Sequence, residues 1–321
     1  MVRRVPFLSI GQRVDYLYRK DYFPDGSLQD QDVERLDAMN FHYFLGYARN
    51  FRELHFEGKL TGAKLPSRVF RLIDVDAEVS TLLYSGIRNS EWLLRHFLVR
   101  HYCQKFEPHG SFLDFETYLD LGGEYSNGHL ARGLMNDILE YSESYVVKQL
   151  QEAGWELGYD VPMRCTSANW ELCRDLSDRL PFWAVADSFS LGRLVKFVQR
   201  CDNDEDSRTQ LWRSVADDMG VPAKRFQSGA ESLRSLRNLV SHQARLWMRP
   251  TTNTATKKGQ FRKRIDRCHK KSMLVAFYSV ASFQGDESKR LEFADGLEKL
   301  IKNEPDYEFG VGNFGSSTLL D

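Results

Sequence analysis

Apolar residues in this chain recur every three or four positions far more often than every second one, the rhythm of helices with one buried face. Residues 9–21 predict a first helix, ended by the turn Phe23-Pro24-Asp25-Gly26. A second runs from Asp30 to about Gly46, with Leu36, Met39, Phe41, Phe44 and Leu45 as its bulk. Pro66 to about Tyr102 reads as one long helix or two end to end, with Phe70, Ile73, Val79, Leu82, Leu83, Ile87, Leu93, Leu94, Phe97 and Leu98 facing a core. A loop-rich insertion over 107–128 precedes a helix over 129–153 and a strongly apolar one over 181–201. Shorter periodic stretches predict helices over 211–220 and 230–247, then a core helix through Met273, Phe277 and Val280, then an amphipathic helix over about 286–302. The Gly- and Ser-rich stretch 303–321 reads as a loosely held tail. Residues 155–165 are the only strand candidate, and a weak one. The predicted fold class is all-α, and no internal repeat is visible.

A length of 321 residues can bury one large core or two coupled ones. The pattern divides into an N-terminal helical segment (1–65), a helical core (66–302) and the tail (303–321). The 42% hydrophobic content excludes a disordered chain. A formal charge of −1 conceals an uneven distribution. Lys257, Lys258, Arg262, Lys263, Arg264, Arg267, Lys270 and Lys271 crowd into fifteen positions with a single Asp266, while Asp202 to Asp206 form an acidic loop. A polyanion partner at the basic run is therefore expected although the whole chain is near neutral. Five cysteines without a Cys-x-x-Cys spacing argue against a disulfide framework or a zinc knuckle and for a reducing, cytoplasmic setting. The apolar run within residues 1–10 is too short for a signal segment or a membrane span, so no membrane partner is expected. His96 and His101 stand five apart, the wrong spacing for a metal pair on one helix face. Neither a metal nor a cofactor is expected.

The stretch 233–247 carries the most chemistry. Leu233, Leu236, Val240, Ala244 and Trp247 recur as one buried face, and Asn238 and His242, four apart, share another side. Arg237 lies five before His242, about 140° round an ideal helix. A permanently charged guanidinium near an imidazole, a group that titrates close to neutral pH, suits the handling of a phosphodiester. The Arg-x-x-x-x-His spacing recurs at Arg264 and His269, inside the charged run, where it reads as coincidence. Arg237 and His242 could equally be a structural pair that pins helices together. Glu91 and Arg95, at i and i+4, read most simply as an ion pair within one helix.

With these residues in view, the chain resembles the Abi-like (AbiD/AbiF-type) abortive-infection proteins of bacteria, within the wider HEPN superfamily. The resemblance is carried by the Tyr-rich stretch Asn40 to Phe51 and by the helix from Asp74 to Arg95, with Glu91 and Arg95 at matching positions. A further block runs from Trp183 through Ser190 to Gly192, with Asp187 where Glu is usual. The segment Leu236 to Trp247 is similar to the family signature, with Gln243 where a second His is usual. Gly310 to Phe314 is similar to a C-terminal Gly-Phe-Pro segment that here lacks its Pro.

The resemblance implies a HEPN-like helical bundle with additional N-terminal helices, a homodimer, and a metal-independent endoribonuclease acting in antiphage defence. His242 would be general acid or base, Arg237 would stabilise the phosphorane-like transition state, and Asn238 would orient His242 or hold a phosphate oxygen. Glu91 and Arg95 would support the cleft. RNA would be the substrate, with the ribose 2′-OH as nucleophile, and a structured non-coding RNA a companion held by the basic run. The alternative is a catalytically silent RNA-binding or scaffold protein of the same fold.

Overall fold

The computed structural model describes residues 7–122, 126–206, 208–251, 257 and 259–313. The fold is all-α, as the periodicity predicts: helices make up 67% of it, and beyond one isolated bridge between His109 and Pro181 no strand occurs among the described residues. In chain order the helices are α1 (Ile10–Arg19), α2 (Asp30–Asp37), α3 (Phe41–Phe56), α4 (Pro66–Lys105), α5 (Asn127–Tyr141), α6 (Ser144–Leu157), α7 (Trp170–Ser177) and α8 (Phe182–Val185). They continue with α9 (Leu191–Arg200), α10 (Leu211–Asp218), α11 (Ala223–Ser241), α12 (Arg262–Ile265), α13 (Met273–Ser282), α14 (Glu287–Lys302) and α15 (Pro305–Gly312).

Helix boundaries obey the caps more closely than the apolar rhythm. The helix expected over 30–46 is two, because the Asn40 carboxamide accepts the backbone N–H groups of His42 (2.9 Å) and Tyr43 (3.3 Å) and starts α3 there. The stretch 129–153 breaks at Ser142, whose backbone is extended (φ −70°, ψ 148°). The apolar run 181–201 breaks at Ser190, whose N–H donates to the buried carboxylate of Asp137 at 2.9 Å, and α9 begins from that point. Of the strand candidate 155–165, the first three residues are the end of α6, stopped by Gly158 in the left-handed region (φ 75°), and the rest is loop. Pro66 to Lys105 is one unbroken helix of 40 residues.

Two compact units divide the chain. The first comprises Met1–Ser85, Ser235–Tyr278 and Leu291–Asp321, the second Gly86–Arg234 and Ser279–Arg290. The first unit is built around Phe23, Phe44, Tyr47, Phe51, Phe70, Trp247 and Tyr307, each nearly or fully buried. The expected tail departs from its reading here. Residues 305–312 form α15, and Tyr307 is fully buried, so an aromatic anchor overrides the Gly-rich composition; residues 314–321 lie outside the described residues. The second unit gathers Tyr102, Phe112, Phe182, Phe189 and Phe197, with Tyr102 and Phe182 ring centroids 4.3 Å apart. Its acidic loop is held at Asp202, which is buried and accepts from Lys105 (2.6 Å) and from the N–H of Leu211 (2.7 Å), while Glu205 and Asp206 are exposed. No helix among the described residues is long and apolar enough to cross a membrane.

Candidate active site

The helix carrying Arg237 begins and ends earlier than its periodicity suggests, at 223–241 rather than 230–247. α11 ends at Ser241, and Gln243 turns into the left-handed region (φ 51°). Two closing bonds define the stop: the Gln243 N–H donates to Val240 O (3.2 Å) and the Ala244 N–H to Leu239 O (2.9 Å). This paired closure makes His242 the C-cap residue and Gln243 the first residue beyond it. Leu233, Leu236 and Val240 are buried as the pattern predicts, whereas Leu246 and Trp247 reach the core through a turn rather than along the same helix face. Arg237, Asn238 and His242 are all exposed, and among the described residues their side chains make no hydrogen bond or ion pair. The three groups are thus presented to solvent with their donors and acceptors open.

The backbone just beyond His242 is anchored three times over. The Arg245 guanidinium donates to Gly46 O (2.5 Å) and lies over the Tyr47 ring. The Leu246 N–H donates to Asp76 Oδ2 (2.8 Å). Trp247 stacks on Tyr47 (centroids 6.2 Å apart, 11° between planes), and its indole N–H donates to Asp306 O (2.9 Å). Asp76 is the hub of this clasp. Besides Leu246 it accepts the hydroxyls of Tyr47 and Tyr307, each at 2.5 Å, and Tyr47 is bonded in turn to Tyr43 (3.1 Å). Burial pushes the Asp76 carboxyl above the usual carboxylate range, against the opposing pull of the bonds from Tyr307, Tyr47 and Leu246. Burial, then the neighbouring Asp76, pushes both tyrosine hydroxyls upward as well. Asp306 is gripped by Arg68 through Nε (2.9 Å) and Nη2 (2.8 Å). Gly310 is required where it stands, since a Cβ there would fall 2.1 Å from the Trp247 indole nitrogen. Sequence reasoning missed Asp76, Tyr307 and Arg245 as a group; the signal was that Asp76, unlike its neighbours Asp74 and Glu78, stands at helical spacing from Leu72, Ile73 and Val79, on the buried stripe of α4.

The remaining candidates fall into two places. In the first unit, Arg262, Lys263, Arg267, Lys270 and Lys271 are exposed. Arg264 is instead bound to Asp295 (2.9 Å) and Glu298 (3.1 Å), and Lys257 donates to the carbonyls of Asp266 and Cys268. Lys258 lies outside the described residues. In the second unit, Glu91 and Arg95 form the ion pair read from their spacing (2.6 Å). Arg95 also donates to the carbonyls of Ala186 and Phe189, so it closes the turn between α8 and α9. Among the described residues no group of three or more His, Cys, Asp or Glu side chains could hold a metal ion. The cysteines are free, and Cys165 and Cys173 are hydrogen-bonded to one another, which lowers the first and raises the second.

No curated protein and no solved structure matches this chain. The sequence profile of the Abi-like proteins matches residues 34–248, from α2 through the anchored turn after His242. Those residues include the α3 aromatics, Asp76, Arg237 and His242. Membership points to abortive infection, a form of phage defence. The match spans well over half of the sequence, and the chain belongs to the Abi-like protein family.

Proposed function

We propose that this protein is a metal-independent endoribonuclease of the HEPN superfamily, acting as an abortive-infection effector. The observation that carries the reading is the contrast within a few residues: Arg237, Asn238 and His242 are open to solvent, while the turn behind them is tied to buried groups. An exposed arginine and histidine on a rigid base are poorly explained as a structural pair, because a structural pair would hold one another or a neighbour. On a phosphodiester, His242 removes the 2′-OH proton or protonates the 5′-oxygen that leaves, and Arg237 neutralises charge on the non-bridging oxygens. Asn238, four residues before His242, holds a phosphate oxygen or the imidazole. The displaced bond is the P–O5′ bond, and the product is a 2′,3′-cyclic phosphate, so DNA is not a substrate.

No carboxylate of the described residues orients the His242 ring. A second copy of the chain, set so that two Arg237–His242 pairs share one cleft, supplies the missing constraint in this reading. The exposed cations Arg262, Lys263, Arg267, Lys270 and Lys271 then hold RNA, either the substrate or a structured companion. The same lack of an orienting group favours the second reading, a silent RNA-binding protein. Purified protein and its His242→Ala variant, incubated with total RNA in excess EDTA, separate the two. Cleavage by the wild type alone supports the nuclease; equal cleavage by both, or none by a homodimer that binds RNA, overturns it.

A further inference from the structure

The second unit holds a cavity that the ribonuclease reading leaves without a role. It has a volume of about 320 Å³ and is lined by His129, Ser190, Gly192, Arg193, Lys196 and Arg234. Three elements build it: the first turn of α5, the first two turns of α9, and Arg234 of α11. From this basic lining and the helix start in its wall, we infer that the cavity is a phosphate-binding site, taking a phosphate group of a polynucleotide backbone or of a free nucleotide.

The local chemistry favours an anion. Arg193, Lys196 and Arg234 converge on a space large enough for one nucleotide, with an imidazole at its rim. Two carboxylates hold the arginines without filling it. Asp137, almost wholly buried, binds the Arg193 guanidinium, and Glu231 binds Arg234 at 2.8 Å. Asp137 also accepts the Ser190 N–H, which sets the start of α9 at the cavity wall. The backbone N–H groups of that first turn carry the partial positive charge of a helix start, a second contribution of the same sign. Arg193 can lie across α5 only because residue 133 is glycine; a Cβ there would stand 2.5 Å from its Nε. The cluster is also strained by its own charge. Burial, then repulsion from Arg234, pushes the Lys196 ammonium below the usual lysine value; Glu231 pulls the other way, and Arg200 and Arg193 add smaller repulsions. A bound phosphate would relieve that repulsion, whereas an apolar or cationic ligand would not. Ser190 and Gly192 close the block Trp183 to Gly192, which the chemistry at His242 does not use.

The test uses the full chain and the double variant Lys196→Gln plus Arg234→Gln, which keeps much of the side-chain length and removes two charges. Lys148→Gln, on an exposed pair with Glu152, is the control. Binding of inorganic phosphate, adenosine monophosphate, and single-stranded RNA and DNA twelve-mers of one sequence is measured by calorimetry over a series of salt concentrations. The double variant is expected to bind both strands about tenfold more weakly, with the slope of log affinity against log salt flatter by about 1.4, that is about 0.7 for each lost phosphate contact. RNA and DNA losing affinity equally identifies a backbone site. A loss confined to the two small phosphates identifies a free-nucleotide site. Unchanged binding of all four probes, with an unchanged melting temperature showing the variant folded, overturns the inference. The site is independent of the ribonuclease reading: His242→Ala should leave every one of these binding curves in place, even if no cleavage is ever observed.

Discussion

Arg237 with His242 and Arg264 with His269 have the same spacing in the same unit and opposite surroundings. Arg264 is three-quarters buried at its side chain, bound to Asp295 and Glu298 and laid over the Phe261 ring 5.6 Å away. Its histidine partner is occupied too: the His269 N–H donates to Gly312 O (3.0 Å), and its ring accepts the Lys271 N–H (3.2 Å). Among the described residues the side chains of the first pair have no such partners, although its backbone is tied down. A spacing motif therefore says little until the partners are counted. The two pairs differ in whether the protein already uses the side chains' hydrogen-bonding capacity.

The largest effect that tests this contrast is on cleavage. His242→Ala should lower RNA cleavage by about 10²–10⁴-fold, the range of a lost general acid or base, while His269→Ala leaves the rate unchanged in the same assay. Equal losses would erase the distinction between the two pairs. Next comes the foundation. Asp76→Ala leaves three buried donors without an acceptor and should cost about 4 kcal/mol, seen as a fall of about 10 °C in the melting temperature. The arginines should then separate on stability rather than rate. Arg264→Ala should cost about 1 kcal/mol in urea unfolding, and Arg237→Ala less than about 0.5 kcal/mol.

The pH dependence sharpens the comparison further. Asp76 is raised in the folded protein, so its contribution is complete below the ordinary carboxylate range and is lost as pH rises through its raised folded value. Asp76→Asn stays neutral at every pH. Its melting temperature should therefore gain on the wild type as pH rises from about 4, where an unfolded carboxyl ionises, toward neutrality; parallel curves would show that Asp76 ionises freely. The smallest effect is at the turn itself. Gln243→Gly relieves a left-handed backbone and should stabilise by about 0.5–1 kcal/mol without altering cleavage.

Part of this arrangement is readable in the sequence. The apolar steps of α4, α9, α11 and α14 carry the helical fold, and Leu233, Leu236 and Val240 identify the buried face behind Arg237. The ion pair of Glu91 and Arg95 is evident from spacing alone. The end of α11 is not, because a stop made by a left-handed glutamine carries no glycine to announce it. Nor is the clasp, since Asp76, Tyr47, Leu246 and Tyr307 meet across long separations in the chain and share no local period. The basic run shows the opposite limit. Its composition reads as one solvated patch, but two of its charges, Lys257 and Arg264, are engaged inside the fold by partners the sequence does not mark.

The clasp also orders events in time. Tyr307 and Asp306 complete the seat of Trp247 and the shell of Asp76, yet both are synthesised well after His242. While the ribosome is still adding residues between them, Asp76 lacks one of its three donors and the indole N–H lacks its acceptor. The turn that presents His242 is then held by fewer ties. If the chain is the ribonuclease proposed above, its site is fully seated only once α15 has emerged and folded back.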